Sequence, residues 1–346
     1  MDERVAKTAS VREELRQLAF SWESQARFDS RDLVPYMNMT DEILFHADTR
    51  FYEYIQYRQE GEFPVRLKKW LDNVRTAREK KTLLSIIPFV LFIDRKQMLA
   101  LCQDAFNRII VPWISEGSIS RQDMLSTDYE LKVRTLLKRY PLYSITESFN
   151  FPDFINVNNL SGLRKPRILG EDGSRIKTSL PRFDEKIRGL IVFEDFVGTG
   201  QQSKKVLDEV IGIIPKSWQT IFVPLVIMEK GLNVFLTKKT TLGSSIEIRP
   251  VLVIPELDCI KERSVEKEPR EFKTMRALIK STQNKVLKPL DQLDDPPNNA
   301  FGHLGSGALI VTSHNTPNNT IPLIHHRSPE WSPLFRRVHH SKDGLR

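Results

Sequence analysis

The sequence predicts an α/β protein in which a helical N-terminal domain, residues 1–140, precedes a parallel-sheet domain, residues 141–346. Three observations carry that expectation. Apolar residues recur at helical spacing over the first part of the chain. Beyond Pro141 that spacing gives way to short apolar runs rich in Val, Ile and aromatic residues. Between two of those runs, Val206, Leu207, Val210, Ile211 and Ile214 mark one helical stripe, which makes a strand, helix, strand crossover.

Each element has a local cause. Ser10 and Glu13 form a capping-box pattern before Leu15, Leu18 and Phe20, so a helix is expected to begin there. Asp94 and Gln97 repeat it before Met98, Leu101, Cys102, Ala105, Phe106, Ile109 and Trp113, which share one face. Tyr129, Val133, Leu136, Leu137 and Tyr140 continue the period until Pro141, whose missing N–H ends such a run. Tyr143 to Ile145, Leu190 to Phe193, Ile221 to Ile227, Ile248 to Ile254 and Leu309 to Val311 are strand-like, and nearly continuous apolar runs suit a parallel sheet covered on both faces. Lys261 to Lys288 is densely charged, with a helical core near Phe272 to Ile279, and runs into a Pro- and Asp-rich stretch. Residues 261–299 therefore read as a charged insertion, helix then loop, placed to cover a site. Its basic residues alternate with Glu262, Glu266, Glu268 and Glu271, the pattern of a solvated helix face rather than of a nucleic-acid surface.

Composition narrows the class. A hydrophobic fraction of 40% and a charged fraction of 28% exclude disordered and collagen-like chains. The 52 Lys and Arg against 44 Asp and Glu leave +8, which suits an anionic ligand or a nucleic-acid partner. Cys102 and Cys259 lie far apart, so neither a disulfide framework nor a zinc finger is expected. The N-terminus has mixed charge where a signal peptide places a basic start and an apolar run, so a cytoplasmic protein is expected. The most apolar stretch, Leu83 to Ile93, contains Pro88 and is far short of the roughly 20 residues that span a bilayer; no membrane partner is expected. His325-His326 and His339-His340 are not expected to hold metal, since neighbours on a strand point to opposite faces.

The stretch that carries chemistry is Leu190-Ile-Val-Phe-Glu-Asp-Phe-Val-Gly-Thr-Gly-Gln-Gln-Ser203. An apolar strand runs into two carboxylates, Glu194 and Asp195, then into Gly198-Thr199-Gly200, then into a helix. Ligands of open parallel sheets bind at the carboxyl ends of strands. Gly198 and Gly200 let the backbone approach a ligand and expose N–H groups, and the helix starting near Gln202 adds its partial positive charge, so the loop suits a phosphate. A Walker A loop fails, because no glycine precedes Lys204 at the required position, and a dinucleotide fingerprint fits weakly, with Ser203 at its third glycine. The bland alternative is that the two carboxylates cap the helix or pair with Lys204 or Lys205. Acidic residues before a phosphate loop are reconciled if the ligand is a ribose phosphate, since carboxylates accept from sugar hydroxyls while the loop donates to the 5-phosphate.

This segment resembles the phosphoribosyltransferase signature over Ile191 to Gln202. Members usually close the loop with Thr or Ser, and this chain has Gln202, with Ser203 one step late. Phe154 to Gly162 and Gly307 to Pro322, above all Ser313-His-Asn-Thr-Pro-Asn-Asn-Thr320, resemble a phosphoribosyltransferase-like branch associated with bacterial conflict and antiphage systems. The resemblance implies a type I fold and phosphoribosyl pyrophosphate, or a related nucleotide, as ligand, transferred or hydrolysed by an antiphage effector. It implies that Glu194 and Asp195 hold the ribose and act in catalysis. Val197, Gly198, Thr199, Gly200, Gln201 and Gln202 bind phosphate, and His314 and Asn315 stand on the acceptor or pyrophosphate side. Mg²⁺ comes in on the pyrophosphate with no protein cage, Asp195 being the side chain able to add a contact. The alternatives are an inactive ribose-phosphate sensor and a structural partner in a defence complex with protein or nucleic acid.

Overall fold

The computed structural model describes residues 3–26, 34–54, 61–170, 186–237, 246–289, 297 and 299–337. Among them the strands are β1 (Leu91–Ile93), β2 (Leu142–Ser144), β3 (Arg167–Ile168), β4 (Gly189–Val197), β5 (Gln219–Met228), β6 (Ile246–Ile248), β7 (Leu252–Ile254) and β8 (Ile310–Thr312). The chain forms two compact units, Met1–Arg95 with Leu257–Arg346, and Lys96–Glu256. These differ from the division expected at Pro141, for two physical reasons. The Trp113 indole donates to Glu247 at 2.8 Å and its ring meets Tyr140 edge-on at 5.1 Å, which ties the helices after Arg95 to the sheet. At the other end, β1 pairs in parallel with β8, Leu91 beside Ile310, which closes the first part of the chain on the last.

In the unit that joins the two termini, the first helix runs Glu3–Ala26, so Ser10 is interior rather than its start. No Gly or Pro stands between Glu3 and Ser10 to stop the helix from beginning earlier. A full capping box forms instead at Thr76 and Glu79, opening Ala77–Ile86. The core gathers Phe51, Phe63, Leu67, Trp70, Leu83, Phe92 and Phe335, with the Phe51 and Phe63 rings 4.7 Å apart. The charged stretch after Lys261 is part of this core and not an addition to it. Its helix, Glu271–Val286, buries Phe272, Met275, Leu278, Ile279 and Val286, the period of an amphipathic helix. Residues 290–296 and 298 of the following loop lie outside the described residues, as do His339 and His340. The Leu309 to Val311 run forms β8 beside β1 and is not a strand of the main sheet.

In the other unit the sheet order is β3-β2-β4-β5-β6, all parallel, with β7 pairing β5 beyond β6. The run expected as one strand from Ile248 to Ile254 is two: Arg249 and Val251 N–H still donate to Phe222 O and Pro224 O, but Pro224 of β5 has no N–H to return to this edge. The long helical run after Asp94 is Arg95–Asp104, a π-helical turn at Ala105–Ile110, and Val111–Ser115. Pro112 accounts for the widened turn, since its ring crowds the carbonyl four residues back. No described helix is long and apolar enough to cross a membrane.

Candidate functional site

β2 leads to β3 on one side and β4 leads to β5 on the other, so the order of the sheet reverses between β2 and β4. A crevice opens beyond the carboxyl ends of strands at such a reversal, and ligands of open α/β sheets bind there. Two chain segments meet at this point: Thr146 to Ser148 after β2, and Glu194 to Gly200 at the end of β4. Leu190 to Phe193 are wholly buried, as expected of a central strand covered on both faces. Pro224 of β5 then stands beside Glu194, and the pairing resumes at Phe196 with Val226. Asp195 has no partner in that register, and Phe196 N–H, the next donor along β4, reaches the Asp195 carboxylate.

The loop after β4 is shaped by close backbone contact. Gly200 has φ +73° and precedes the helix Gln201–Ile213, which Lys204 N–H opens by bonding to Gly200 O at 2.9 Å. A Cβ on Gly200 would lie 2.8 Å from Gly231 O, and one on Gly231 would lie 2.4 Å from Gly198 O. Both glycines are therefore required by the packing of the loop against the first turn of Glu229–Thr237. Val197, Thr199 and Ser203 are buried, while Gln201 and Gln202 are exposed on the first turn. No side chain caps this 13-residue helix, so its first N–H groups and its partial positive charge face the loop. Lys204 pairs with Asp208 one turn on.

Glu194 is 5% exposed. Its carboxyl group meets Thr146 N–H at 3.2 Å, the Thr146 hydroxyl, and Ser148 Oγ at 3.4 Å. Burial first, and the charge of Asp195 second, push it well above the usual carboxylate range, against the opposing pull of those donors. Asp195 is half-buried; its Oδ1 accepts from the Ser148 hydroxyl at 2.6 Å and from Phe196 N–H at 2.9 Å. Among the described residues no group of three or more His, Cys, Asp or Glu side chains could hold a metal ion. Thr146, Ser148 and Gly231 were not among the residues expected at the site. Two hydroxyls directly after the apolar run Tyr143 to Ile145 are a signal of the same kind as the carboxylates after Phe193.

His314 and Asn315 lie in the unit that joins the termini, not in the unit of the sheet. The loop they open is a polar turn directly after β8, as the sequence predicts. Asn315 O accepts from Thr312 N–H and Oγ1, its N–H donates to that Oγ1 at 3.2 Å, and its Oδ1 accepts from Thr316 N–H. His314 is exposed beside Ser313 Oγ, and buried His325 places Nε2 3.0 Å from Thr320 O. No curated protein matches the chain. A family model described as PRTase-CE matches residues 67–337, taking in the acidic pair, the glycine loop and the turn after β8. Over that span, with parallel strands ending in an acidic pair and an uncapped helix, the chain belongs to PRTase-CE, a phosphoribosyltransferase-like family of general transferase kind.

Proposed function

We propose that the chain binds phosphoribosyl pyrophosphate where β4 ends and transfers the phosphoribosyl group to an acceptor or to water, on a sheet of type I phosphoribosyltransferase arrangement. The observation that carries this is the pairing, at one sheet reversal, of carboxylates with the uncapped start of a 13-residue helix behind a glycine loop. The helix N–H groups and the backbone from Val197 to Gln202 hold the 5-phosphate; Thr199 supports the loop from within. Asp195 accepts from a ribose hydroxyl. In the reaction the acceptor atom bonds to the anomeric carbon as the bond to the pyrophosphate oxygen breaks, and the pyrophosphate leaves with that electron pair. Mg²⁺ carried on the pyrophosphate neutralises the leaving group. Carboxylate charge near the ring favours the oxocarbenium character of the transition state. A place among cytoplasmic effectors of antiphage defence, with His314 and Asn315 on the acceptor side and protein or nucleic-acid partners, rests on sequence resemblance alone.

Calorimetric titration of phosphoribosyl pyrophosphate with Mg²⁺ into wild type and Asp195→Ala, beside a pyrophosphate-release assay, tests the proposal. Binding that the variant loses, with release in the wild type, is the expected result; no binding to the wild type sinks it. Binding without release favours a sensor, for which Gln202 at the usual Thr or Ser position is the supporting observation.

A further inference from the structure

The carboxyl ends of β4 and β5 lie at the candidate site, and their amino ends border a second, open cleft. Its volume is about 680 Å³, within the range of roughly 300–1,000 Å³ that small-molecule sites occupy. Three stretches of the sheet unit line it: the turn that follows Val111–Ser115, Tyr140 with Ile187 and Arg188 ahead of β4, and the turn from Pro215 to Gln219 ahead of β5. Backbone bonds tie these stretches together, Arg188 N–H donating to Arg139 O at 2.9 Å and Gln219 N–H to Arg188 O at 3.0 Å. β4 has 9 residues, so the strand carries this cleft about 26 Å from the loop after Val197. The two places are separate.

Tyr140 is 4% exposed, its ring set edge-on to Trp113, and among the described residues its hydroxyl has no hydrogen-bond partner. Buried donors are nearly always satisfied, so this one points to an acceptor that a ligand brings. Burial raises the phenol above its ordinary value while the charges of Arg188 and Arg139 pull the other way, which sets both guanidinium groups near the hydroxyl. Lys216 is exposed between Pro215 and Ser217 of the lining. Among the described residues none of these three cations has a side-chain hydrogen bond or ion pair, and Glu116 is the one acidic residue lining the cleft. Unpaired cations beside a phenol O–H suit an oxyanion, two of whose oxygens a guanidinium takes at once. Trp218 and Ile187, both buried, add an apolar wall of the kind that covers a planar ring.

We propose that this cleft is a second binding site, for a nucleotide whose phosphate takes Arg188, Arg139 and the Tyr140 hydroxyl while its base lies against Trp218 and Ile187. A bare anion leaves the apolar wall uncovered, and an uncharged nucleoside leaves the cations unpaired; a nucleotide answers both. The site does not depend on what the crevice beyond β4 takes.

Fluorine NMR of the whole chain labelled with 5-fluorotryptophan tests it, the Trp218 resonance being the one lost in Trp218→Phe. The probes are AMP, GMP, CMP and UMP, their nucleosides, inorganic phosphate and a short single-stranded oligonucleotide. At least one of the four nucleotides is expected to move Trp218 saturably, with affinity lowered about tenfold or more in Arg188→Ala and in Tyr140→Phe. No shift from any of the four overturns the proposal. An equal response to the nucleosides removes the role of the cations, an equal response to inorganic phosphate removes the base, and a response to the oligonucleotide alone makes the cleft a nucleic-acid surface; each overturns it. Tyr140→Phe keeps the ring beside Trp113, so the test stays open if Arg188→Ala fails to fold, which the remaining fluorine resonances report. Asp195→Ala is expected to lose phosphoribosyl pyrophosphate and keep the Trp218 shift. Loss of both would place the nucleotide in the β4 crevice and sink the second site, whereas a Trp218 shift in a wild type that ignores phosphoribosyl pyrophosphate keeps the second site and removes the first.

Discussion

Two polar loops follow parallel strands in this molecule, and they use their polarity in opposite ways. After β4, Gly198 to Gln202 leads into a helix of 13 residues with no side-chain cap, so backbone donors face outward. After β8, the loop from Ser313 to Thr320 spends its donors and acceptors on itself and its neighbours. Thr316 and Thr320 are 0% exposed and Asn319 4%. Thr316 Oγ1 bonds Phe335 O and the Tyr54 hydroxyl, Thr320 Oγ1 bonds Ile310 O, and Asn319 bonds Ser306. The helix that follows, Pro322–His325, has 4 residues and little dipole. A dense run of Ser, Thr and Asn is thus as good a brace as a site; what marks the β4 loop is backbone donors that no side chain consumes.

The comparison breaks first at Gly200. Gly200→Val places a branched side chain at φ +73° against Gly231 O, and a loss of about 3 kcal/mol in urea unfolding is expected, together with loss of phosphoribosyl pyrophosphate binding. A variant as stable as wild type would mean that the loop and the 229–237 helix stand apart in solution. Next comes Asp195→Asn, which keeps shape and removes the charge that accepts from a ribose hydroxyl. Calorimetry should show affinity lowered by about tenfold to a hundredfold, or roughly 1.4–2.8 kcal/mol, with unfolding little changed. In the brace the expected pattern is inverted. Thr320→Val leaves Ile310 O without its partner and should cost about 1–3 kcal/mol of stability with affinity unchanged. A ligand defect there at full stability would move the β8 loop into the binding machinery.

How much of this was legible in the sequence follows from how local each signal is. The β4 strand, its loop and the 201–213 helix are read from adjacent residues: an apolar run, two glycines, and a stripe at 206, 207 and 210. The partition of the chain is not, because it depends on Leu91 finding Ile310 and on Trp113 finding Glu247, pairings that no local period encodes. The same holds within the site. Glu194 and Asp195 stand out by being adjacent, whereas Thr146 and Ser148, whose hydroxyls bond to them, come from another strand end and look like ordinary loop hydroxyls until the sheet order brings them together. Charge misled where periodicity was sound: the helical core near Phe272 is real, and the lysines and glutamates around it decorate a buried helix.

The smallest effect expected is one of pH, and its sign discriminates between two states of Glu194. Its carboxyl sits well above the ordinary value of 4.5 in the folded chain and returns to it on unfolding. Protonation therefore favours the folded form: the stabilisation is fully present below about 4.5 and is lost as pH rises through the raised native value. Glu194→Gln cannot ionise and lacks that part of the slope. Urea midpoints measured across neutral pH should accordingly show the wild type losing ground to Glu194→Gln as pH rises. The opposite trend would show that Thr146 and Ser148 stabilise a carboxylate strongly enough to outweigh its burial, and Asp195 would then share the crevice with a second full charge.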